Sequence, residues 1–230
     1  MGTIAERLKI ALKTITQSVC DANRPANSVK LLAVTKTKPV SDIVQAYEAG
    51  HRLFGENYVQ EGVDKIQQLS EFSEFSDIEW HFIGPLQSNK TRPVAENFHW
   101  VHSIDRLKIA QRLNDQRSAH KKLNVCIQVN VDNESSKAGA VIDEVSALAE
   151  QISAMPNLTL RGLMTIPKAQ QNENMQRKSL LVMKELFLQL QTKYPQIDTL
   201  SMGMSNDMQL AIECGSTMVR IGSAIFGSRQ

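Results

Sequence analysis

Short apolar segments alternate with amphipathic segments along the whole chain, and this alternation limits the possible folds most strongly. Eight short, largely apolar segments have the length of buried strands, and they recur at intervals of roughly 20 to 40 residues. Strands that alternate with helices in this way form parallel sheets. We predict strands at residues 31–36, 53–57, 80–84, 100–104, 123–131, 160–166, 199–204 and 218–222.

The segments between the predicted strands place apolar residues at helical spacing. Helices are predicted at residues 4–20, 41–49, 58–69, 88–97, 107–118, 141–154, 175–194 and 205–214, with Ser41 and Ser205 as caps. Because no linker or shift in composition interrupts residues 1–230, we predict one α/β domain, a single (β/α)8 TIM barrel. A doubly wound sheet is the alternative, but the sequence lacks the glycine-rich dinucleotide turn after its first strand.

Charge and composition exclude several classes of partner. The formal net charge of +2 gives no argument for nucleic-acid binding. No apolar run approaches the roughly 18 residues of a membrane span, and the charged N-terminal residues do not resemble a signal peptide. The three cysteines are far apart and are expected to be reduced thiols. We therefore expect a cytoplasmic protein without nucleic-acid or membrane partners, and a monomer, because no continuous apolar surface stripe is evident.

A lysine closes the first predicted strand. Lys36 follows the apolar run 31–34, and the segment 37–39 breaks the strand pattern. Barrels carry reactive groups at the carboxyl ends of their strands, where an unprotonated lysine amine can act as a nucleophile. The alternative is a strand-end lysine that points to water. Lys38, two residues beyond Lys36 and past the break in the strand pattern, is a poorer candidate nucleophile.

The turns after the seventh and eighth predicted strands are rich in small and hydroxyl residues. They span residues 201–206 and 220–224, and they occupy the two places where barrels bind phosphate through backbone N–H groups. The alternative to a phosphate site is that both segments are ordinary turns without a ligand and that Ser205 only caps a helix. A phosphate site beside the Lys36 amine suggests a phosphorylated carbonyl compound held as an imine. Both pyridoxal phosphate and a class I aldolase substrate fit that description.

Six sequence blocks occur in one order along nearly the whole chain. They are AVTK at 33–36, FGENY at 54–58, WHFIGPLQSNK at 80–90, LM at 163–164, SMGMS at 201–205 and VRIG at 219–222. With these blocks the chain closely resembles the pyridoxal phosphate homeostasis proteins, small relatives of the barrel domain of alanine racemase. The resemblance implies an alanine-racemase-like, fold type III barrel with pyridoxal 5′-phosphate as its cofactor.

The resemblance also implies a set of binding residues. Lys36 would hold the cofactor as a Schiff base. Further cofactor-binding residues implied are Ser205, Gly222 and Ser223 at the phosphate, Ser201 nearby, Arg220 at the pyridine nitrogen and Asn57 near the ring hydroxyl or the imine. The chain departs from the family pattern at Ser223, where threonine is usual, and at Asn206 and Gln209, which replace acidic residues.

Binding without catalysis is the expected function. An arginine at the pyridine nitrogen disfavours protonation of that nitrogen, because two positive charges would face each other. An unprotonated ring is a weak electron sink. Racemisation needs a second acid/base group, which an added β-rich domain supplies in alanine racemase, whereas this chain ends shortly after Gly222. We therefore predict an intracellular carrier of pyridoxal phosphate, with no catalytic residues, that supplies cofactor-dependent apo-enzymes. A low-activity amino-acid racemase and an aldolase-like barrel are the alternatives.

Two more residues have structural interpretations. His81 lies between Trp80 and Phe82, and we expect a hydrogen-bonded core histidine there in preference to a second catalytic base. Glu56 can face into the barrel and pair with a basic residue, which is also a structural role.

Overall fold

The computed structural model describes residues 2–134, 137–168 and 172–227. In these ranges eight parallel strands form a closed barrel, and each strand pairs with its neighbours in chain order. The strands are β1 (Lys30–Val34), β2 (Leu53–Glu56), β3 (Glu79–Phe82), β4 (Trp100–Ile104), β5 (Leu123–Gln128), β6 (Leu158–Met164), β7 (Thr199–Ser201) and β8 (Met218–Ile221). β8 pairs with β1 and closes the ring. The prediction of a single (β/α)8 barrel is confirmed.

Helices alternate with the strands. The described residues form α1 (Ile4–Asp21), α2 (Val40–Glu48), α3 (Val59–Ser70), α4 (Thr91–Asn97), α5 (Leu107–Gln116), α6 (Ile142–Ser153), α7 (Glu173–Lys193), α8 (Met208–Glu213) and α9 (Ser223–Phe226). Two 3₁₀ turns, Ser73–Phe75 and Ser88–Lys90, precede β3 and α4. Among these segments, no helix combines the length and the apolar character needed to cross a bilayer.

The opening helix shows how the apolar pattern produces packing. Ile4, Leu8 and Ile15 of α1 are buried, because they recur on one face of the helix, which packs against α8 and α9. Thr3 and Glu6 form a capping box at its start. α1 thereby supports α9, the short helix that follows the last strand.

The predicted caps at Ser41 and Ser205 are both wrong. α2 begins at Val40 because Pro39, its N-cap, still has an extended backbone with a ψ of 160°, and Ser41 is then the second residue of the helix. Before α8, the carboxylate of Asp207 accepts the N–H of Met204 at 2.6 Å, and the N–H of Asp207 donates to the carbonyl of Met204. This turn keeps Ser205 out of the helix, and α8 begins only at Met208.

Candidate cofactor site

The carboxyl ends of β1 and β8 lie side by side. Leu32 is the register partner of Arg220, and Ala33 is the partner of Ile221. Beyond these pairs the chain turns at Lys36 on one strand and at Gly222 on the other. A Cβ atom added to Gly222 would lie 3.1 Å from the carbonyl oxygen of Val34, so glycine permits the close approach of the two turns. The turns that hold these two predicted site residues therefore lie side by side at one rim of the barrel.

Lys36 lies in a four-residue turn and not in β1, which ends at Val34. The N–H of Lys38 donates to the carbonyl of Thr35 at 3.0 Å, and Thr37, the third residue of the turn, has a φ of +63°. That combination is typical of a type II turn. Lys36 is partly buried. The strand prediction for residues 35–36 was wrong, because both residues belong to this turn.

The two turns predicted to bind phosphate come together. Ser205, after β7, and Ser223, after β8, line one cavity of about 500 Å³. Ser223 is the first residue of α9, and the N–H group of the first helical residue has no acceptor within its helix. Hydroxyl groups and backbone N–H groups are the donors that bind phosphate in such turns. The geometry therefore suits an anion at this rim.

Arg220 lies in the barrel interior below that rim and is only 4% exposed. Its Nη1 donates to the carbonyl oxygen and to Oγ of Ser201, each at 2.8 Å, and its Nη2 donates to the carbonyl of Thr165 at 2.9 Å. Burial lowers the pKa of Arg220 to about 10, so the side chain stays charged at neutral pH. Ser201, which was expected near the phosphate, is fully buried and fixes the guanidinium.

A chain of hydrogen bonds continues from Ser201 through the barrel. Oγ of Ser201 lies 3.1 Å from Nδ1 of His102, Nε2 of His102 lies 2.9 Å from Nδ1 of His81, and Nε2 of His81 lies 3.0 Å from a carboxylate oxygen of Glu79. Because Arg220 donates to Oγ of Ser201, that hydroxyl can donate to His102. Each histidine then donates from Nε2 to the next acceptor, which fixes both tautomers.

Burial keeps His81 and His102, the two histidines in this series of hydrogen bonds, neutral. Desolvation lowers the pKa of His81 and lowers that of His102 well below 6.5. The prediction that His81 is a hydrogen-bonded core residue is confirmed. His102 was missed by the sequence analysis. The available signal was weak: Glu79 and His81 share one face of β3, and β4 carries one more buried histidine.

Asn57 follows β2 at the same rim. Its Oδ1 is buried and has no hydrogen-bond partner in the part of the chain that the structure describes. A Cβ atom added to Gly84 would lie 2.0 Å from the carbonyl oxygen of Asn57, so the backbone there is tightly confined. Because an unsatisfied buried acceptor is costly, a hydroxyl or N–H group of a ligand would stabilise Asn57 in this position.

Glu56 faces helix α3 and not the barrel interior, so the predicted direction of its side chain was wrong. A Cβ atom on Gly62 of α3 would lie 3.1 Å from Cβ of Glu56. The predicted basic partner exists: Nζ of Lys65 lies 2.8 Å from Glu56 Oε1. The reason is the register of β2, in which this position points outward toward the helix layer.

Comparison with known proteins decides the family. Residues 10–230 match the family described as alanine racemase, N-terminal domain. The pyridoxal phosphate homeostasis protein of Pasteurella multocida is 55% identical over 230 residues, which cover 99% of this chain and 98% of that protein. The protein of the same name from Escherichia coli K12 is 52% identical and covers 100% and 98%. This chain belongs to the pyridoxal phosphate homeostasis protein family. The resemblance drawn from the six sequence blocks is confirmed.

Solved structures of similar proteins have the same barrel. PipY of Synechococcus elongatus PCC7942, determined with PLP bound, is 35% identical, with a TM-score of 0.82 over 98% of this chain and 100% of that one. A protein from Bifidobacterium adolescentis gives a TM-score of 0.88 at 31% identity, over 97% and 94%. Alanine racemase from Corynebacterium glutamicum, at 17% identity and a TM-score of 0.72, shares the fold over 98% of this chain and 60% of its own.

Proposed function

We propose that this protein binds pyridoxal 5′-phosphate through Lys36 and helps to keep the intracellular level of that cofactor in balance, without catalytic turnover. One observation carries the proposal: the turn that holds Lys36 lies beside the turn at Gly222, with Arg220 buried on the same strand below it. We further propose that residues 1–230 act as one cofactor-binding domain. PLP bound to PipY, and the shared name of the curated relatives, support the ligand.

The residues at the rim fit each functional group of this cofactor. Lys36 offers an amine for the aldehyde, and Asn57 offers a buried acceptor with no other partner among the described residues. Ser205, Gly222 and Ser223 offer hydroxyl and backbone donors for the phosphate. When bound, the cofactor supplies an aldehyde that forms a Schiff base with a lysine amine and a ring that can withdraw electrons.

Arg220 provides the main argument for binding without turnover. Three acceptors, two on Ser201 and one on Thr165, hold the guanidinium in one orientation. A fixed cation next to the pyridine nitrogen disfavours its protonation, and the ring then stabilises a carbanion poorly. Arg220 therefore disfavours carbanion chemistry on a bound amino acid.

The buried histidines are also unsuited to acid/base catalysis. Both ring nitrogens of His81, and both of His102, have partners within the chain. A general base must reach the proton that it removes, and these nitrogens are already engaged beneath Arg220. This arrangement supports a carrier role over racemisation.

We also propose a cellular compartment for the protein and recipients for the cofactor. The thiols of Cys20, Cys126 and Cys214 are all unpaired, as expected in the reducing cytoplasm. We propose cofactor-dependent apo-enzymes as recipients, and a monomer as the carrier.

Absorbance and chiral analysis test the proposed function together. After unbound pyridoxal phosphate is removed by gel filtration, the parent protein should keep a near-visible band, which Lys36→Ala lacks and the matched variant Lys38→Ala retains. Incubation with single enantiomers of alanine or serine should leave their chirality unchanged. Sustained racemisation that Lys36→Ala abolishes would contradict the carrier role. A protein that stays colourless with pyridoxal phosphate but captures a sugar phosphate would indicate an aldolase-like barrel.

A further inference from the structure

Both neighbours of Lys36 are tied to a pair of glutamates. The hydroxyl of Thr35 donates to Oε1 of Glu56 at 2.6 Å, and the backbone N–H of Thr37 donates to Oε1 of Glu61 at 2.5 Å. Glu56 lies at the end of β2, and Glu61 lies in the first turn of α3. The turn that carries Lys36 is therefore held from both sides by carboxylates of the next βα unit.

One buried lysine joins these contacts. Nζ of Lys65, in α3, lies 2.8 Å from Glu56 Oε1, 2.6 Å from Glu61 Oε1 and 2.8 Å from the carbonyl oxygen of Thr35. An ammonium group has three donors, and these three acceptors use all of them. The Lys65 side chain is only 7% exposed and that of Glu56 is fully buried, so water does not replace these bonds easily.

The turn needs such support because of Thr37. A φ of +63° is unfavourable for a β-branched residue, and glycine is usual at this place in a type II turn. Backbone strain of this kind persists only where surrounding contacts impose the conformation. The bonds from Thr37 to Glu61, and from Thr35 to Glu56 and Lys65, are the contacts that impose it here.

We propose that Lys65 is a positioning residue: through Glu56 and Glu61 it holds the strained turn that presents the amine of Lys36 to the cofactor aldehyde. The inference rests on the proposed function and deepens it. In the step concerned, the neutral amine nitrogen of Lys36 forms a C=N bond with the aldehyde carbon. The aldehyde oxygen leaves as water with the two amine protons. Lys65 touches neither reactant and acts only on the conformation of the turn.

Two ligands separate positioning of Lys36 from general damage to the site. Pyridoxal 5′-phosphate can form the C=N bond, whereas pyridoxine 5′-phosphate, with an alcohol in place of the aldehyde, can only bind non-covalently. In Lys65→Met, the equilibrium constant for formation of the near-visible band should fall about tenfold or more. The affinity for pyridoxine 5′-phosphate, measured by calorimetry, should change by less than about twofold. Lys108→Met removes an exposed lysine of α5 and should change neither value.

A second pair of variants keeps the proposal testable if Lys65→Met does not fold. Glu61→Gln retains an acceptor for the N–H of Thr37, and Glu61→Ala removes it. Band formation should be kept in Glu61→Gln and lost in Glu61→Ala, with similar affinities for pyridoxine 5′-phosphate. Equal weakening of both ligands in Lys65→Met or Glu61→Ala, or no weakening of either, would overturn the positioning role. A parent protein that binds pyridoxine 5′-phosphate but never forms the band would instead contradict the proposed function.

Discussion

His81 and His102 share a hydrogen bond inside the barrel, with 2.9 Å between Nδ1 of His81 and Nε2 of His102. The contact links β3 to β4, and the next bond, from His102 to Ser201, links β4 to β7. Because β4 and β7 are not neighbours in the sheet, that bond crosses the barrel interior. The interior of a TIM barrel is usually filled by layers of apolar side chains. Here hydrogen-bonded histidines occupy part of that interior, so the free energy of unfolding depends on their protonation.

Stability should fall as the pH drops below about 6.5. Burial lowers the pKa of His81 and His102, and it lowers those of His51 and His99 to about 4. Between the folded and unfolded pKa values only the unfolded chain binds the proton, so each histidine removes up to about 1.4 kcal/mol of unfolding free energy per pH unit. Urea unfolding at pH 5, 6 and 7 measures this slope.

His102→Gln tests which residue causes the slope. The variant lacks one buried proton acceptor, so its pH slope should be shallower than that of the parent by about 1.4 kcal/mol per unit between pH 5 and 6. His120→Gln makes the same substitution at an exposed histidine and serves as the control for the substitution itself. Identical slopes in His102→Gln and the parent would mean that His102 is not buried as a neutral group.

Ser205→Ala should weaken cofactor retention by about 1–2 kcal/mol, the usual cost of losing a hydrogen bond to a charged group. Ser205 lines the same cavity as Ser223, where the proposed phosphate lies. Titration with pyridoxal 5′-phosphate measures the change. Ser73→Ala, at an exposed serine remote from this cavity, should leave retention unchanged. Equal retention in the two variants would argue against the phosphate position.

Gly84→Ala should lower both stability and cofactor affinity. The added Cβ would meet the carbonyl of Asn57 at 2.0 Å, so the backbone of Asn57 must move, at a cost of about 3 kcal/mol. Gly50→Ala is the matched control. Apart from its chain neighbours, no atom of the described residues lies within 4 Å of its added Cβ, and only its φ of +94° is unfavourable, at a cost of about 1 kcal/mol. Thermal unfolding and cofactor titration check both variants, and equal losses would contradict the steric argument.

The order and type of the main elements followed from hydrophobic periodicity alone. The fourth strand was predicted at residues 100–104, and β4 has those bounds. The predicted bounds are wrong where a local hydrogen bond decides how an element begins or ends. β1 stops two residues early because Thr35 begins a turn, and α8 starts late because Asp207 closes another turn. Such local hydrogen bonds compete with regular structure and leave no periodic signal.

From the strand pattern, the site could be predicted only where the order of the strands determines which residues lie at the same rim. Lys36 and Gly222 were expected at one rim because they end the first and last strands, and a closed ring makes those strands neighbours. Hydrogen-bonded or paired roles were expected for His81 and Glu56, but their partners were not. Lys65 lies 29 residues beyond Lys36, and His102 lies 99 residues before Ser201, so the pairings depend on three-dimensional register. Periodicity gives the face of an element, but it does not give the partner on another element.

Covalent trapping tests the central claim most directly. The protein is incubated with pyridoxal 5′-phosphate, reduced with borohydride, digested and analysed by mass spectrometry. We predict a pyridoxyl phosphate adduct on the peptide that contains Lys36, and its loss in Lys36→Ala. An adduct mainly on another lysine, or the same labelling in Lys36→Ala, would contradict the account.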